Sequence, residues 1–312
     1  MGTPDFAATI LAAVIASKSS DVVGVYCQPD RACGRGQKCT PAPVKMLALQ
    51  HGIPVFQPFT FKDIKPVETL TALSPDILLV AAYGLVLPQT VLDIPRFGPW
   101  NVHASLLPRY RGAAPIQRAL LDGGTHTGIT IIRMEAGLDT GPMLFARSIL
   151  IGPDETGGSL HDRLAKLGGD MAVEALIRIT NKQMNTIPQD GNLATYAPKI
   201  AKEDTFIRWD EPVTVIHNRI RAMSPRPGAF FFLELSDANR RLRLQIAPGA
   251  FTCNSLPPQP PGRILGVSQG MLSIASLDGI YRILLIKPEG RNWMDATAFA
   301  HGYLNKLVLE RY

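Results

Sequence analysis

Apolar positions in the first half of the chain fall into two alternating registers. Phe6, Ile10, Leu11 and Ile15 recur at helical spacing and predict a helix over Pro4–Lys18. Val22–Cys27 (VVGVYC) predicts a short buried strand, Val44–His51 a helix and Pro54–Phe56 another strand. Pro66–Leu73 predicts a helix, since a proline in the first turn removes an N–H that would have had no partner. Ile77–Ala82 (ILLVAA) is apolar at every position, as in a strand covered on both faces within a parallel sheet. Gln89–Asp93 predicts a turn or short helix, Trp100–Ala104 a strand, Ala114–Asp122 a helix, and Gly128–Met134 and Met143–Ile151 two strands. This alternation predicts an α/β domain built on a Rossmann-like parallel sheet. Ser159-Leu160-His161-Asp162 has the form of a capping box, so a helix is expected to start there, run through Ile177 and bend at Gly168-Gly169.

The pattern changes after Thr180. Asn181–Lys199 is polar, with Pro188, Asp190 and Gly191, and reads as a connector. Val213–Ala222 predicts a helix. Short strands follow over Ala229–Leu235, Leu242–Ile246, Arg263–Val267, Met271–Ala275 and Arg282–Ile286, with a rigid loop over Pro257–Gly262. Five short strands after a helix predict an oligonucleotide-binding-like β-barrel. The expected division is a catalytic domain over 1–180, a linker over 181–203 and a C-terminal β-barrel domain over 204–312.

Composition narrows the classes. Hydrophobic residues at 46% and charged residues at 19% of 312 fit a globular chain and exclude a disordered or coiled-coil one. The net charge of +6 is uneven: residues 205–312 carry 13 Lys/Arg against 8 Asp/Glu, and the rest carries 19 against 18. A basic module joined to a near-neutral one is an electrostatic footprint for nucleic acid. Cys27, Cys33 and Cys39 recur every six residues with no histidine among them, which is not zinc-ligand spacing, so no metal is expected. Ala7–Ala16 is apolar, but Asp5 and no Lys or Arg precedes it, unlike a signal peptide. The Ile77–Leu87 run is far short of the ~20 residues that span a bilayer. A cytoplasmic protein without membrane association is expected, and a monomer.

The densest polar segment is Asn101–Ala113, which begins within the predicted Trp100–Ala104 strand and continues past its end, where α/β sheets bind ligands. Asn101 and His103 share one face of that strand. An amide can donate to an oxyanion, and an imidazole can move a proton near neutral pH. Two residues satisfied within a core would give the same pattern. Asp139 lies between Gly137 and Gly141, in a tight loop after the Gly128–Met134 strand, and reaches the same sheet edge as His103 if the two strands are neighbours. A single Asp-Thr-Gly excludes the paired-carboxylate protease site, and neither G-x-S-x-G nor a P-loop is present. Gly34-Arg35-Gly36 lacks the rest of a dinucleotide fingerprint, and the loop with Arg31, Arg35, Lys38 and Lys45 suits a phosphate-rich partner better.

Several segments together carry a family resemblance. Gly2–Ala7 (GTPDFA), Gln28–Arg31, Gly34–Gly36, Ala82–Gly84, Asn101–Pro108, Arg111–Gln117 and Gly137–Met143 resemble, in order and over nearly the whole chain, the methionyl-tRNA formyltransferases. The resemblance implies formyl transfer from 10-formyltetrahydrofolate, as co-substrate, to the α-amino group of methionyl initiator tRNA. It implies that Asn101, His103 and Asp139 are catalytic. Ser105, Leu106, Leu107, Pro108, Tyr83 and Gly84 would then border the folate. Arg35, Arg31 and Lys38 would meet the tRNA, together with Arg208, Arg221 and Arg241 and with Arg219, Arg226, Arg240, Arg243 and Arg291. Three departures stand out: no strand precedes Gly2, Trp100 stands where a small apolar residue is usual, and Arg226 stands where Trp is common. The same chemistry on a sugar nucleotide or on glycinamide ribonucleotide, a folate hydrolase or dehydrogenase portion, and a non-catalytic RNA-binding protein are the alternatives.

Overall fold

The computed structural model describes residues 1–33, 38–235, 240–253 and 259–304, with only the backbone described at 31–33, 38–39, 235 and 240. Gly34-Arg35-Gly36 lies outside the described residues, as do the side chains of Arg31, Lys38 and Arg240. The elements run α1 (Asp5–Ser17), β1 (Val25–Tyr26), β2 (Arg31–Cys33), β3 (Lys38–Thr40), α2 (Pro43–Gln50), β4 (Val55–Phe56), α3 (Ile64–Ala72), β5 (Leu78–Val80), α4 (Gln89–Leu92), β6 (Pro99–His103), β7 (Arg111–Gly112), α5 (Pro115–Leu121), β8 (His126–Arg133), β9 (Met143–Leu150), α6 (Gly157–Thr180) and β10 (Tyr196–Ala197). They continue with α7 (Val213–Met223), β11 (Phe230–Leu235), β12 (Arg240–Ile246), β13 (Ala250–Cys253), β14 (Ile264–Ser268), β15 (Met271–Ala275), β16 (Gly279–Ile283), β17 (Leu285–Pro288), β18 (Met294–Asp295) and α8 (Ala296–Phe299). Two compact units result: Met1–Pro115, His126–Leu150 and His161–Pro198 form one, and Ile116–Thr125, Ile151–Leu160 and the chain from Lys199 form the other. Most of the expected linker therefore belongs to the first unit.

In the first unit β1 pairs with β4, and β5 with β6, in parallel. The sheet β5-β6-β8-β9 then reverses, because β8 runs antiparallel to both β6 and β9. The expected parallel pairing is thus present in β1–β4 and β5–β6, and β8 and β9 extend it as antiparallel strands. For β8 and β9 the reason is local: only residues 134–142 separate them, and a parallel partner would need a crossover of roughly a dozen residues or more. Thr127–Ile132 is buried throughout, so its apolar run carries no sign of strand direction.

Met1 and Gly2 bridge the two parallel pairs. The Gly2 N–H donates to the Tyr26 carbonyl at 2.9 Å, and the Ala81 N–H to the Met1 carbonyl at 2.9 Å. The Met1 amine donates to the Leu79 carbonyl at 2.6 Å, and burial pushes it down to about 5. A cavity of about 450 Å³, lined in part by Val23, Val25, Leu73, Ile77 and Leu79, opens beside these two residues. Trp100 finds its room in the core, fully buried, with its indole N–H donating to the Phe97 carbonyl at 2.9 Å.

Helix α6 begins at Gly157, earlier than expected. Thr156 and Ser159 cap it reciprocally: each hydroxyl accepts from the other's backbone N–H, at 3.1 and 3.0 Å. The helix does not break at its glycine pair. A Cβ on Gly169 would lie 2.8 Å from the Ala13 Cβ, and one on Gly168 would lie 3.1 Å from Val102 Cγ1. These glycines let α1 and β6 pack closely against the helix, which is the reason for them.

The second unit holds two four-stranded antiparallel sheets, β11-β12-β17-β18 and β13-β16-β15-β14. The expected Arg282–Ile286 strand divides at Leu284, so one extended stretch serves both sheets, the way a barrel-type architecture turns its corners. Among the described residues no group of three or more His, Cys, Asp or Glu could hold a metal, and no helix is long and apolar enough to cross a membrane.

Candidate active site

Strand β6 presents Asn101 and His103 from one face, in register with Ile132 and Thr130 of β8. Both side chains are buried. The loop after β8 brings Asp139 to them. Because β8 is antiparallel, this loop leaves beside the start of β6 and has to fold back over its face. Asp139 adopts a left-handed backbone (φ 53°), uncommon for a residue with a Cβ, and its carboxylate turns inward. Oδ1 accepts from Asn101 Nδ2 at 3.3 Å, Oδ2 accepts from the Gly112 N–H at 2.9 Å, and Oδ2 lies 3.6 Å from His103 Nδ1. The three polar groups expected from the sequence therefore do converge, by a different route from the shared sheet edge of parallel neighbours.

The imidazole's other nitrogen fixes its chemistry. His103 Nε2 lies 2.9 Å from the Tyr110 carbonyl, which can only accept, so Nε2 carries a hydrogen. The nitrogen left to exchange a proton is Nδ1, on the Asp139 side. Asn101 commits one of its two Nδ2 hydrogens to Asp139 and keeps the second as a donor. The site thus offers an amide donor and an imidazole lone pair beside a fixed carboxylate. That combination can hold a developing oxyanion and move a proton.

Segment 105–112 supports this geometry from below. Ser105 is fully buried; its hydroxyl donates to the Arg109 carbonyl at 2.6 Å, and its carbonyl accepts from Thr130 Oγ1 at 2.7 Å. Leu107 is buried, and its N–H donates to Thr130 Oγ1 at 3.1 Å. The Ser105 and Leu107 side chains shape the turn of the segment expected to border the folate. Leu106 and Pro108 are half-buried. Tyr83 is packed inward. Its ring lies in a core with Tyr26 and Phe61, its hydroxyl is buried without a partner, and its carbonyl already accepts from Thr3 Oγ1 and Gln28 Nε2. Gly84 beside it is exposed with φ 77°, where a Cβ would lie 2.4 Å from Gln28 Nε2.

Sequence reasoning missed a second layer contributed by the expected linker. Gln189 Nε2 donates to the Asp139 carbonyl at 2.8 Å and the Gly141 carbonyl at 2.7 Å, and its Oε1 accepts from buried Arg111, through Nη2 at 2.8 Å and Nε at 3.1 Å. Strand β10 pairs in parallel with β7, and the Tyr110 N–H donates to Thr195 Oγ1 at 2.9 Å. A glutamine in a polar stretch carries no periodic signal, so nothing in the pattern marked it.

Of the expected tRNA contacts, Arg35 lies outside the described residues. Arg208 is exposed. Arg241 is exposed and pairs with Glu234 at 3.1 Å. Arg226 and Arg291 are exposed, Arg219 is paired with Glu211, and Arg243 stacks over the Phe230 ring at 3.9 Å. Arg221 is corrected: it is buried, donating to the carbonyls of Gly152 at 3.1 Å and Glu155 at 3.3 Å and to Asn218 Oδ1 at 2.9 Å. Lys45 likewise is held by Asp30 at 2.5 Å and by Gln57 at 2.8 Å.

An α/β unit with an amide, an imidazole and a carboxylate at one strand end, joined to a basic antiparallel unit, is the architecture of a formyl transferase. The formyl transferase family matches residues 1–176 and the formyl transferase C-terminal domain matches residues 199–304. A methionyl-tRNA formyltransferase of Nitratidesulfovibrio vulgaris Hildenborough is 48% identical over 98% of this chain and 92% of its own. That of Methylococcus capsulatus is 46% identical over 97% and 95%. The fold is shared with an N-formyltransferase from Helicobacter canadensis solved with folinic acid and dTDP-3-aminofucose, at 17% identity and TM-score 0.64 over 90% of this chain and 96% of that one. The chain belongs to the methionyl-tRNA formyltransferase family.

Proposed function

We propose that this protein transfers a formyl group from 10-formyltetrahydrofolate to the α-amino group of methionyl initiator tRNA, giving N-formylmethionyl-tRNA for translation initiation. The observation that carries the reading is the convergence of Asn101, His103 and Asp139 in a chain of this family. The formyl donor supplies an electrophilic carbonyl carbon and a nitrogen leaving group. Toward that carbonyl the second Asn101 N–H is the available donor, and one such donor is worth about 2.7–4 kcal/mol in the transition state. The amine must lose a proton to form its new bond, and the leaving nitrogen must gain one. His103 Nδ1 takes the first and returns the second, while Asp139 at 3.6 Å stabilises the imidazolium in between.

Asp139 is itself held ready. The Gly112 N–H and the Asn101 amide both bind its charged form, so it faces the imidazole without reorganising. Ser105, Leu106, Leu107 and Pro108 with Tyr83 and Gly84 are the folate-side segment of this reading, and of these Leu106 and Pro108 are half-buried and Gly84 exposed. Exposed Arg208, Arg226, Arg241 and Arg291 give the second unit positive charge for phosphates. The test is incubation with 10-formyltetrahydrofolate and charged initiator tRNA. N-formylmethionyl-tRNA is the expected product; its absence, with a nucleotide-linked amino sugar formylated instead, refutes the reading. Retention of tRNA without turnover in either assay points to a non-catalytic binder and refutes it as well.

A further inference from the structure

We propose that Gln189 is a positioning residue that clamps the Asp139 loop to the His103 loop and so sets where the Asp139 carboxylate stands. The inference deepens the reading of the site and rests on it. Gln189 uses the whole capacity of its amide: both Nε2 hydrogens go to the carbonyls of Asp139 and Gly141, and Oε1 accepts two bonds from the Arg111 guanidinium. No flipped orientation works, because it would set an oxygen against two carbonyls and an NH2 group against a cation.

The two residues clamped together are the ones that fix the carboxylate. Asp139 holds a left-handed backbone, uncommon for a residue with a Cβ though better tolerated by aspartate than by most. Its Oδ2 accepts from the N–H of Gly112, the residue after Arg111. A single amide therefore ties the main chain of Asp139 to the side chain adjoining the donor that orients its carboxylate. The strap carrying Gln189 is anchored on both sides. Ile187 exchanges two backbone bonds with Met143 at 2.8 Å each, and Thr195 accepts from the Arg111 N–H at 2.9 Å. Chain outside the strand–helix alternation thus completes the site's support.

Gln189→Glu separates positioning from simple stability. Glutamate keeps an acceptor, now charged, for Arg111, and turns the NH2 group that supplies both donors into one oxygen facing the Asp139 and Gly141 carbonyls. Gln189→Met removes all four bonds. The expected result, measured with 10-formyltetrahydrofolate and charged initiator tRNA, is that Gln189→Glu melts close to the parent but loses ten-fold or more in kcat. KM for both substrates should stay within about three-fold. In an Asp139→Asn background the same change should have little further effect, because it acts through Asp139. Wild-type kcat in Gln189→Glu, beside a slow Asp139→Asn, overturns the clamp alone, whereas wild-type turnover in Asp139→Asn overturns the reading of the site. A rise in KM at unchanged kcat assigns Gln189 to substrate binding and overturns the proposal. Loss of soluble protein in both Gln189 variants assigns it to folding and does the same.

Discussion

Arg221 separates a nucleic-acid contact from a folding contact, because a basic residue near the end of a helix in the cationic unit invites the first assignment while its surroundings support the second. In Arg221→Met the methionine keeps much of the stem's packing and removes the charge. Three acceptors lose their donor: the carbonyls of Gly152 and Glu155, and Asn218 Oδ1. Hydrogen bonds to a charged group contribute roughly 1.5–3 kcal/mol each, which for three bonds comes to about 4.5–9 kcal/mol. Burying the guanidinium opposes that: desolvation is the largest cause lowering the Arg221 pKa, so part of the gain offsets the transfer from water. The net loss is about 3–5 kcal/mol, the range for breaking a buried charge network. At roughly 2–4 °C per kcal/mol, Tm should fall by on the order of 10 °C. Affinity for initiator tRNA should keep its dependence on salt, since each phosphate contact adds only ~0.7–0.9 to the logarithmic slope and Arg221 would supply none. Calorimetry and filter binding across a salt series measure both quantities. An unchanged Tm with a salt slope shallower by about one would refute the argument.

Asn101→Ala removes the free amide donor and should lower kcat by ~10²–10³-fold with little effect on the KM for tRNA, as read by steady-state formylation. Gly112→Ala should fail to fold or lose most activity: φ at Gly112 is 123°, and a Cβ there would lie 2.7 Å from the Ala197 carbonyl oxygen. Soluble Gly112→Ala protein with normal turnover would show that the β7–β10 pairing yields. Acid should weaken the second unit through His217, whose pKa is lowered mainly by burial and further by Arg221, against the Pro153 carbonyl and Asp154, which raise it. The folded chain then binds fewer protons than the unfolded one, so stability falls as pH drops below about 6.5 and levels off below the folded pKa. Denaturant titrations of the parent and His217→Gln at several pH values test this, and identical slopes in both would exclude His217.

The His217 effect has a structural cause that no sequence pattern displays. Its Nε2 donates to the Pro153 carbonyl at 3.3 Å, and its Nδ1 lies 3.4 Å from the Tyr281 hydroxyl. That hydroxyl also accepts from the Gly249 N–H at 2.9 Å, so its own hydrogen is directed to the imidazole. The chain is satisfied only while the histidine is neutral. Four segments meet there, 152–155, 217–221, 249 and 281, and sequence separation hides each from the others.

Periodicity disclosed what depends on one element at a time. The α1 helix, the β5 and β6 strands and the shared face of Asn101 and His103 all follow from local spacing. Strand direction did not, because β8 is buried on both faces and an apolar run reads alike in a parallel or an antiparallel neighbour. The glycine pair in α6 was equally ambiguous, since a helix break and a close helix approach both call for a missing side chain. Reversing β8 changes how the site is assembled. The Asp139 loop departs from the end of the sheet opposite to the one a parallel strand would give, and it reaches His103 only by folding back. A loop folded back on itself needs restraint from outside its own strand–helix unit, and the bonds of Gly112 and Gln189 supply it. The polar stretch after α6 is therefore part of the site's construction, as a consequence of β8 running against its neighbours.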